Sequence, residues 1–230
     1  MKFTHFEKHQ ELVYGISEKK DGDMKYNNEN RENFFSNLSV SENSIIRAGL
    51  INGTNVARVF KDGEKNIPET DGLVTDEKEI LLTITMADCF PIYFFDPNKK
   101  VIGIAHAGWR GITGGTIKNT IEKMNNEFGA NPENILIGIG PGIQKCHFEI
   151  GKEVLFNFEK YPEAILKKDG KIFVELEKII FIKLLQNGIL EKNIEASGEC
   201  TFCESEKYFS ARRERKEKLD AMLGYIGLKF

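Results

Sequence analysis

Cys89 and His106 each stand at the end of an apolar run, and a short connection joins the two runs. The first run is LLTITMADC and the second begins VIGIAHAGWRG. A thiolate and an imidazole are good ligands for zinc or copper, and they also serve as a nucleophile and its base. Because α/β sheets place ligands at strand ends, the pair predicts a functional site. The neighbouring Asp88 either orients a ligand or caps a turn.

A glycine-rich segment, GWRGITGGT, follows His106 and leads into the most clearly amphipathic part of the chain. Free backbone N–H groups at a helix start, with small residues that allow close approach, suit an anion, and an arginine can clamp a phosphate with two hydrogen bonds. The segment lacks the Gly-Lys-Ser/Thr ending of a Walker loop. A tight strand-to-helix turn with a capping threonine explains it equally well. The predicted anion-binding set is Arg110, Gly111, Gly114, Gly115 and Thr116.

Three further groups carry residues that could do chemistry. Cys146 and His147 follow a Gly-Pro-Gly turn and could lie near the same rim. The C-x-x-C motif of Cys200 and Cys203 is half of a zinc or redox motif, and without a second pair at metal-finger spacing we expect two loop thiols. Arg212 belongs to a charged run that, taken alone, is typical of a solvated surface.

The composition is that of a globular protein with a substantial core. The 230 residues are 40% hydrophobic and 29% charged, with a net charge of −3, which gives no general attraction for nucleic acid or an anionic membrane. The N-terminus has no apolar signal segment, and no apolar stretch is long enough to span a bilayer. The four cysteines are too few for a disulfide scaffold. We therefore expect reduced thiols and a cytoplasmic location.

Hydrophobic periodicity predicts a mixture of strands and helices along the whole chain. A hairpin-like strand–turn–strand unit is expected over 45–60, with Asn52-Gly53 as its turn. The interpretation is one α/β domain covering residues 1–230. Predicted strands cover 80–85, 92–95, 101–105, 135–139, 194–197 and 225–230, and predicted helices cover 29–38, 116–128, 152–158 and 176–187.

Several motifs resemble those of the bacterial laccase-domain family. TMADCFPIYFFDP followed by VIGIAHAGWRG is similar to the family signature T-A-D-C-x-P and A-H-A-G-W-R-G. DGLVT, the GPGI element, the late Cys-Thr pair and YFSARR also match, in order, from about residue 13 to the C-terminus. The family is named for polyphenol oxidase activity and is also described as a zinc-dependent purine nucleoside phosphorylase and adenosine deaminase. The resemblance implies a layered α-β-β-α sandwich with mixed sheets.

The resemblance also implies roles for individual residues. Cys89 and His106 correspond to two of the family's three metal ligands. Asn52 stands where the family has the third, a histidine, and a carboxamide oxygen holds zinc less firmly than an imidazole does. His147, where the family usually has a second cysteine, could compensate for that loss. Zinc is the implied cofactor and copper is less favoured. Arg110, Arg212, His147 and the glycine-rich turn are the implied contacts to a purine nucleoside and phosphate.

Four functions remain open on this basis. The first is a purine nucleoside phosphorylase, with or without adenosine deaminase activity. The second is a copper-dependent polyphenol oxidase, although the chain's four histidines are too few for a many-histidine copper cluster. The third is a degenerate nucleoside-binding module that has lost its third metal ligand. The fourth is a Cys–His hydrolase, in which Cys89 is the nucleophile and His106 its base.

Overall fold

A computed structural model describes residues 1–229. Five α-helices and fourteen strands make up the regular structure of that part. The helices are α1 (Asn28–Asn37), α2 (Trp109–Gly114), α3 (Thr116–Phe128), α4 (Leu176–Gln186) and α5 (Ala211–Glu214). The strands are β1 (Leu12–Ile16), β2 (Ile45–Ala48), β3 (Val56–Arg58), β4 (Asn66–Ile67), β5 (Gly72–Thr75), β6 (Leu81–Met86), β7 (Phe90–Asp96), β8 (Val101–Ala107), β9 (Leu136–Ile139), β10 (Glu149–Ile150), β11 (Ile165–Lys168), β12 (Lys171–Val174), β13 (Ile194–Ala196) and β14 (Met222–Leu228).

Two mixed sheets form the centre of the fold. The six-stranded sheet has the order β13-β9-β7-β8-β5-β3, and the five-stranded sheet has the order β1-β14-β6-β2-β4. A separate three-stranded sheet joins β10, β12 and β11. One apolar core lies between the two large sheets, a second lies between the six-stranded sheet and α3 and α4, and a third lies between the five-stranded sheet and α1. The layers are therefore helix, sheet, sheet, helix, which confirms the predicted α-β-β-α sandwich.

The strands that carry the site are the most apolar of the chain. Every residue of β7 and β8 is buried, because both faces of the six-stranded sheet are covered, as the nearly continuous apolar runs predict. Helix α3 covers one face with Ile117, Ile121 and Met124, all buried at helical spacing. It ends at Gly129, whose φ of 66° stops the helix as expected.

The segment 45–60 is not a hairpin, contrary to the sequence prediction. Asn52 does turn the chain, with a φ of 58°. However, β2 joins the five-stranded sheet and β3 joins the six-stranded sheet, so the two strands never pair. Residues 49–55 instead form a loop that crosses between the sheets.

Two other elements differ from their predicted form. The predicted helix over 152–158 is present, and it takes the tighter 3₁₀ form, Lys152–Phe158. The last strand begins at Met222 and lies inside the five-stranded sheet, between β1 and β6, so it is longer and more central than the predicted strand over 225–230. Residue 230 lies outside the described part. None of the described helices combines the length and the apolarity needed to cross a bilayer.

Candidate active site

Cys89 and His106 meet where β7 begins and β8 ends. The two strands are antiparallel neighbours, and Pro91 of β7 is paired with His106 of β8. Cys89 lies in the tight turn that precedes β7, and the turn is set by Asp88, whose φ is 82°. The pairing register therefore brings the thiol and the imidazole to the same edge of the sheet, as their positions at the ends of apolar runs predict.

Asn52 joins this pair from the loop that crosses between the sheets. A Cβ atom built on Gly108 would lie 3.0 Å from Cys89 Sγ, 3.4 Å from Asn52 Oδ1 and 3.9 Å from His106 Cε1. One sulfur, one amide oxygen and one imidazole thus surround the same small space. Glycine at position 108 keeps that space open, since a Cβ there would crowd Cys89 Sγ and touch Asn52 Oδ1.

Asp71 is the functional residue that the sequence reasoning missed. Its side chain is fully buried, and Oδ1 lies 3.0 Å from His106 Nδ1. Its Oδ2 accepts hydrogen bonds from the backbone N–H groups of Gly53 (2.7 Å) and Ile51 (3.3 Å). A single carboxylate therefore holds the His106 ring and the loop that carries Asn52. The signal was present in the sequence, because Asp71 is the first residue of the DGLVT motif.

Contacts among Cys89, His106 and Asp71 shift the pKa values of His106 and Asp71 toward their charged forms. Burial alone would lower the pKa of His106, but the charge interaction with Cys89 and the hydrogen bond to Asp71 outweigh it and raise the pKa to about 10. Burial would raise the pKa of Asp71, but the bonds from His106 and the Gly53 backbone outweigh it and the pKa is lowered. Because Nδ1 is engaged by Asp71, Nε2 is the ring nitrogen left for a ligand, as in the carboxylate–histidine pairs of metal sites.

A cavity of about 440 Å³ opens directly onto Asn52, Cys89 and His106. Its volume lies in the range of small-molecule sites. Asn52, Cys89 and His106 provide its polar side, and Lys25 provides a cation. The other lining residues are Ala48, Leu50, Thr85, Met86, Ala87, Ala211, Leu219 and Ala221.

Arg110, the charged member of the predicted anion-binding set, lies outside the cavity lining. Arg110 is exposed, at the start of α2, with its guanidinium 4.3 Å from the centre of the Trp109 ring. It is not among the residues of 1–229 that line the 440 Å³ cavity.

The remaining glycine-rich residues make packing contacts at the junction of α2 and α3. Gly115, with a φ of 118°, forms the bend between the two helices, and Gly114 precedes it. The Thr116 hydroxyl donates to the Gly53 carbonyl at 2.9 Å. A Cβ atom on Gly111 would lie 2.7 Å from Thr116 Oγ1. These contacts explain the small residues without an anion, so the anion role stays a prediction.

Arg212 and His147 line a second, larger groove of about 840 Å³. Ala211 lines both the groove and the cavity, so the two spaces adjoin there. Arg212 Nη1 donates to the carbonyls of His147 (3.0 Å) and Glu149 (2.9 Å). This arginine is therefore fixed to a loop beside the site and is not a freely solvated side chain.

Cys200 and Cys203 are not two isolated loop thiols, contrary to the sequence expectation. Their sulfur atoms, Cys146 Sγ and a ring nitrogen of His147 all lie within 4.8 Å of one another. This Cys/His cluster could bind a metal ion. His147 therefore has its own partners, and within residues 1–229 the cluster includes neither Cys89 nor His106. The idea that His147 replaces the missing ligand beside Cys89 was wrong, because the loop after β9 directs it to the thiols of the loop after β13.

Asp88 links this cluster to the Cys89 turn. Its Oδ1 accepts a hydrogen bond from the Thr201 hydroxyl, and its Oδ2 accepts one from the Arg212 backbone, both at 2.7 Å. Its own carbonyl accepts from the Ile143 N–H at 2.8 Å. Asp88 thus does more than cap a turn, since it holds three separate segments beside Cys89.

A comparison with known families is decisive for classification. The family model described as multi-copper polyphenol oxidoreductase laccase matches residues 14–229. The chain belongs to this family. The match covers nearly the whole described part, including every residue of the site, and it confirms the resemblance that the AHAGWRG block indicates.

Two curated relatives have names that specify a purine nucleoside phosphorylase. The protein YlmD of Geobacillus stearothermophilus is 32% identical over 191 residues, which are 77% of this chain and 69% of that protein. Its crystal structure has a TM-score of 0.88 to this fold at 26% identity, covering 96% of this chain and 93% of the other. LACC1 of Mus musculus is 34% identical over 179 residues, 75% of this chain. The matched region spans only 41% of LACC1.

A third relative carries a different name. Adenosine deaminase RL5, from an unknown prokaryotic organism, is 33% identical over 156 residues, which are 65% of this chain and 59% of that protein. The family thus includes proteins named for two reactions on purine nucleosides.

Proposed function

We propose that this chain is a purine nucleoside phosphorylase whose residues 1–230 act as one catalytic domain. The observation that carries the proposal is the cavity bordered by Cys89, His106 and Asn52, in a chain whose relatives YlmD and LACC1 are named for this reaction. The cavity volume suits a nucleoside. The net charge of −3 argues against nucleic acid as a partner, and the free cysteines fit a cytoplasmic enzyme.

The reaction is the phosphorolysis of adenosine or inosine. A phosphate oxygen forms a bond to C1′ of the ribose as the bond from C1′ to the purine nitrogen breaks. The electron pair of the broken bond moves to the base, which takes up a proton, and ribose 1-phosphate is the other product. Positive charge develops on the ribose in the transition state, so the site must position an anion and assist the departing base.

The side chains of the chain divide this work. The apolar wall of Leu50, Met86 and Ala87 can accept the flat purine ring. For phosphate, Arg110 offers an exposed guanidinium outside the cavity lining, and Lys25 offers a cation within it. Asp71 is a positioning residue, since it orients His106 through Nδ1 and does not line the cavity within the described residues.

A single zinc ion fits the cavity edge better than a copper cluster does. Cys89 Sγ and His106 Nε2 are strong zinc ligands, and Asn52 Oδ1 is a weaker third ligand from the same small space. When bound there, zinc would supply Lewis acidity and a polarised water. A multi-copper oxidase needs many histidines, whereas one of the chain's four borders this cavity, so the donor set disfavours phenol oxidation.

Adenosine deamination is the second candidate, favoured by the relative RL5 and by the thiol and imidazole at the cavity edge. In this reaction water attacks C6 of the purine and the amino group leaves as ammonia. It needs no phosphate. Release of ammonia from adenosine in phosphate-free buffer would distinguish it from phosphorolysis.

The test is product analysis with purified enzyme and inosine or adenosine. Free base and ribose 1-phosphate should form only when phosphate is present. Arg110→Ala should reduce kcat/KM for phosphate by about tenfold or more, because a charged hydrogen-bonding clamp is lost, while Lys118→Ala, an exposed cation on α3, should not change it. If Arg110→Ala keeps the wild-type kcat/KM for phosphate, Arg110 is not part of the phosphate site.

A further inference from the structure

We propose that Cys146, His147, Cys200 and Cys203 bind one structural zinc ion, distinct from the site at Cys89 and His106. The four residues come from two loops that lie 50 or more residues apart in sequence. They offer three thiols and one imidazole, which is the Cys₃His donor set of structural zinc sites. All four coordination positions are filled by protein side chains, so the ion would have no open position for a substrate.

Four donor–donor distances in the cluster are close to the edges of a tetrahedron around zinc. Cys146 Sγ lies 3.6 Å from both Cys200 Sγ and Cys203 Sγ. His147 Nδ1 lies 3.2 Å from Cys146 Sγ and 3.4 Å from Cys203 Sγ. With Zn–S bonds of about 2.3 Å and Zn–N bonds of about 2.0–2.1 Å, a regular tetrahedron has S···S edges of about 3.8 Å and S···N edges of about 3.5 Å. These four distances are close to the required edges, and the remaining donor–donor distances are within 4.8 Å.

A disulfide explains this geometry less well than a metal ion does. A disulfide brings two sulfurs to about 2.05 Å and leaves other groups aside. Here the Cys146 sulfur is equally distant from the other two sulfurs, and an imidazole nitrogen completes the group. A common centre accounts for all four groups, whereas a bond between two sulfurs accounts for only two of them.

The surrounding strands and side chains position the two loops that form the cluster, as expected of a preorganised site. Strands β9 and β13 run parallel and adjacent, so the loops that follow them leave the sheet at the same edge. A bridge between Gly142 and Cys200 continues the pairing into the loops. The Gln144 backbone N–H lies 3.4 Å from Cys200 Sγ, and the Phe202 ring stacks on His147 at 3.8 Å between centroids. Such contacts orient metal ligands.

The ion would stabilise the segments that border the candidate active site. The His147 carbonyl accepts a hydrogen bond from Arg212, and the carbonyls of Thr201 and Phe202 accept from Arg213 at 2.8 and 2.9 Å. The Thr201 hydroxyl also donates to Asp88, the neighbour of Cys89. Linking the two loops through zinc thus fixes the backbone positions that hold Arg212 and the Cys89 turn.

Metal analysis of the full chain tests the proposal without reference to activity. Protein purified under reducing conditions should contain at least one zinc per chain by mass spectrometry. The double variant Cys146→Ser/Cys203→Ser should lose one equivalent. Cys89→Ser removes a thiol outside the cluster and should retain the cluster's zinc. Removing zinc with a chelator should lower the Tm by roughly 5 °C or more in the wild type and in Cys89→Ser, and by less in the double variant, which keeps only the site at Cys89 and His106.

Cobalt substitution identifies the ligands. Co²⁺ in the cluster should give the visible bands of a tetrahedral ion and a near-ultraviolet thiolate charge-transfer band, which persist in Cys89→Ser. His147→Cys keeps four ligands and should keep the metal, whereas His147→Ala should weaken its retention at least about tenfold. If the double variant does not fold, metal retention in this matched pair tests whether position 147 provides a ligand.

Two results would overturn the proposal. One is a double variant with the zinc content and cobalt spectrum of the wild type. The other is wild-type protein that contains no zinc after purification under reducing conditions. The first result leaves the site at Cys89 and His106 untouched. Phosphate-dependent base release tests the phosphorylase activity separately.

Discussion

At the scale of single residues, Asp71 organises the site through both of its carboxylate oxygens. It is buried, it holds His106 through one oxygen, and it holds the loop of Asn52 through the other. All three bonds to Asp71 come from N–H donors. An asparagine has only one acceptor oxygen, so its amide group would face at least one of these donors.

We therefore expect Asp71→Asn to reduce kcat/KM about 10- to 100-fold, as the loss of a residue that orients a ligand does. Steady-state kinetics and a thermal melt should be measured together. Asp76→Asn is the matched control, since Asp76 is a partly exposed carboxylate outside the site. An Asp71→Asn enzyme with wild-type kinetics would refute the positioning role.

Asn52 stands where the family resemblance predicts a third metal ligand, a histidine. Because Asn52 Oδ1 stands in the same small space as Cys89 Sγ, Asn52→His should give three strong ligands and raise zinc content above that of the wild type. Asn126→His, at an exposed position of α3, controls for an added imidazole. Zinc content that rises equally in both variants, or in neither, would show that position 52 is not a ligand position.

At the scale of elements, the sequence predicted the features that depend on residues close together in the chain. The α3 stripe and its glycine stop were predictable because periodicity and capping involve neighbours in sequence. The central strands were predictable because they are apolar on both faces. The loop of residues 49–55 was not predictable, since its shape depends on hydrogen bonds to Asp71, some twenty residues away. The Cys/His cluster was missed because its halves meet only through the pairing of β9 with β13.

The bend between α2 and α3 depends on the positive φ of a single residue, Gly115. Gly115 has a φ of 118°, and a Cβ atom there would meet nothing closer than 4.0 Å. Gly115→Ala should therefore lower the free energy of unfolding by about 1–3 kcal/mol through backbone strain alone. Denaturant titration measures it, with Lys118→Ala on the same helix expected within about 0.5 kcal/mol of the wild type. Equal stability of the two variants would mean that the bend tolerates other conformations.

At the scale of the whole molecule, the site depends on how the two large sheets are held together. His106 belongs to the six-stranded sheet and Cys89 to the turn that leads into it, while the wall of the cavity includes Thr85 and Met86 of β6 in the five-stranded sheet. The cavity thus exists only if the sheets keep their relative position. Sequence could suggest this layering only through the family resemblance, because no local pattern specifies how two sheets face each other.

One buried hydrogen bond links the sheets directly. The Tyr93 hydroxyl of β7 donates to the Gly15 carbonyl of β1 at 2.8 Å. Tyr93→Phe should cost about 1–3 kcal/mol of stability, because it leaves a buried carbonyl without this donor. Tyr26→Phe, at an exposed tyrosine, should change stability by less than about 0.5 kcal/mol. A Tyr93→Phe protein as stable as the control would show that the bond does not hold the sheets.

The most direct test of the central claim is the phosphate dependence of base release from inosine and adenosine. Chromatography of the products should detect free base and ribose 1-phosphate in equal amounts when phosphate is present, and neither product when it is omitted. Asp71→Asn should reduce both products in parallel. Base release that is independent of phosphate, or no base release by folded wild-type protein, would contradict the assignment as a phosphorylase.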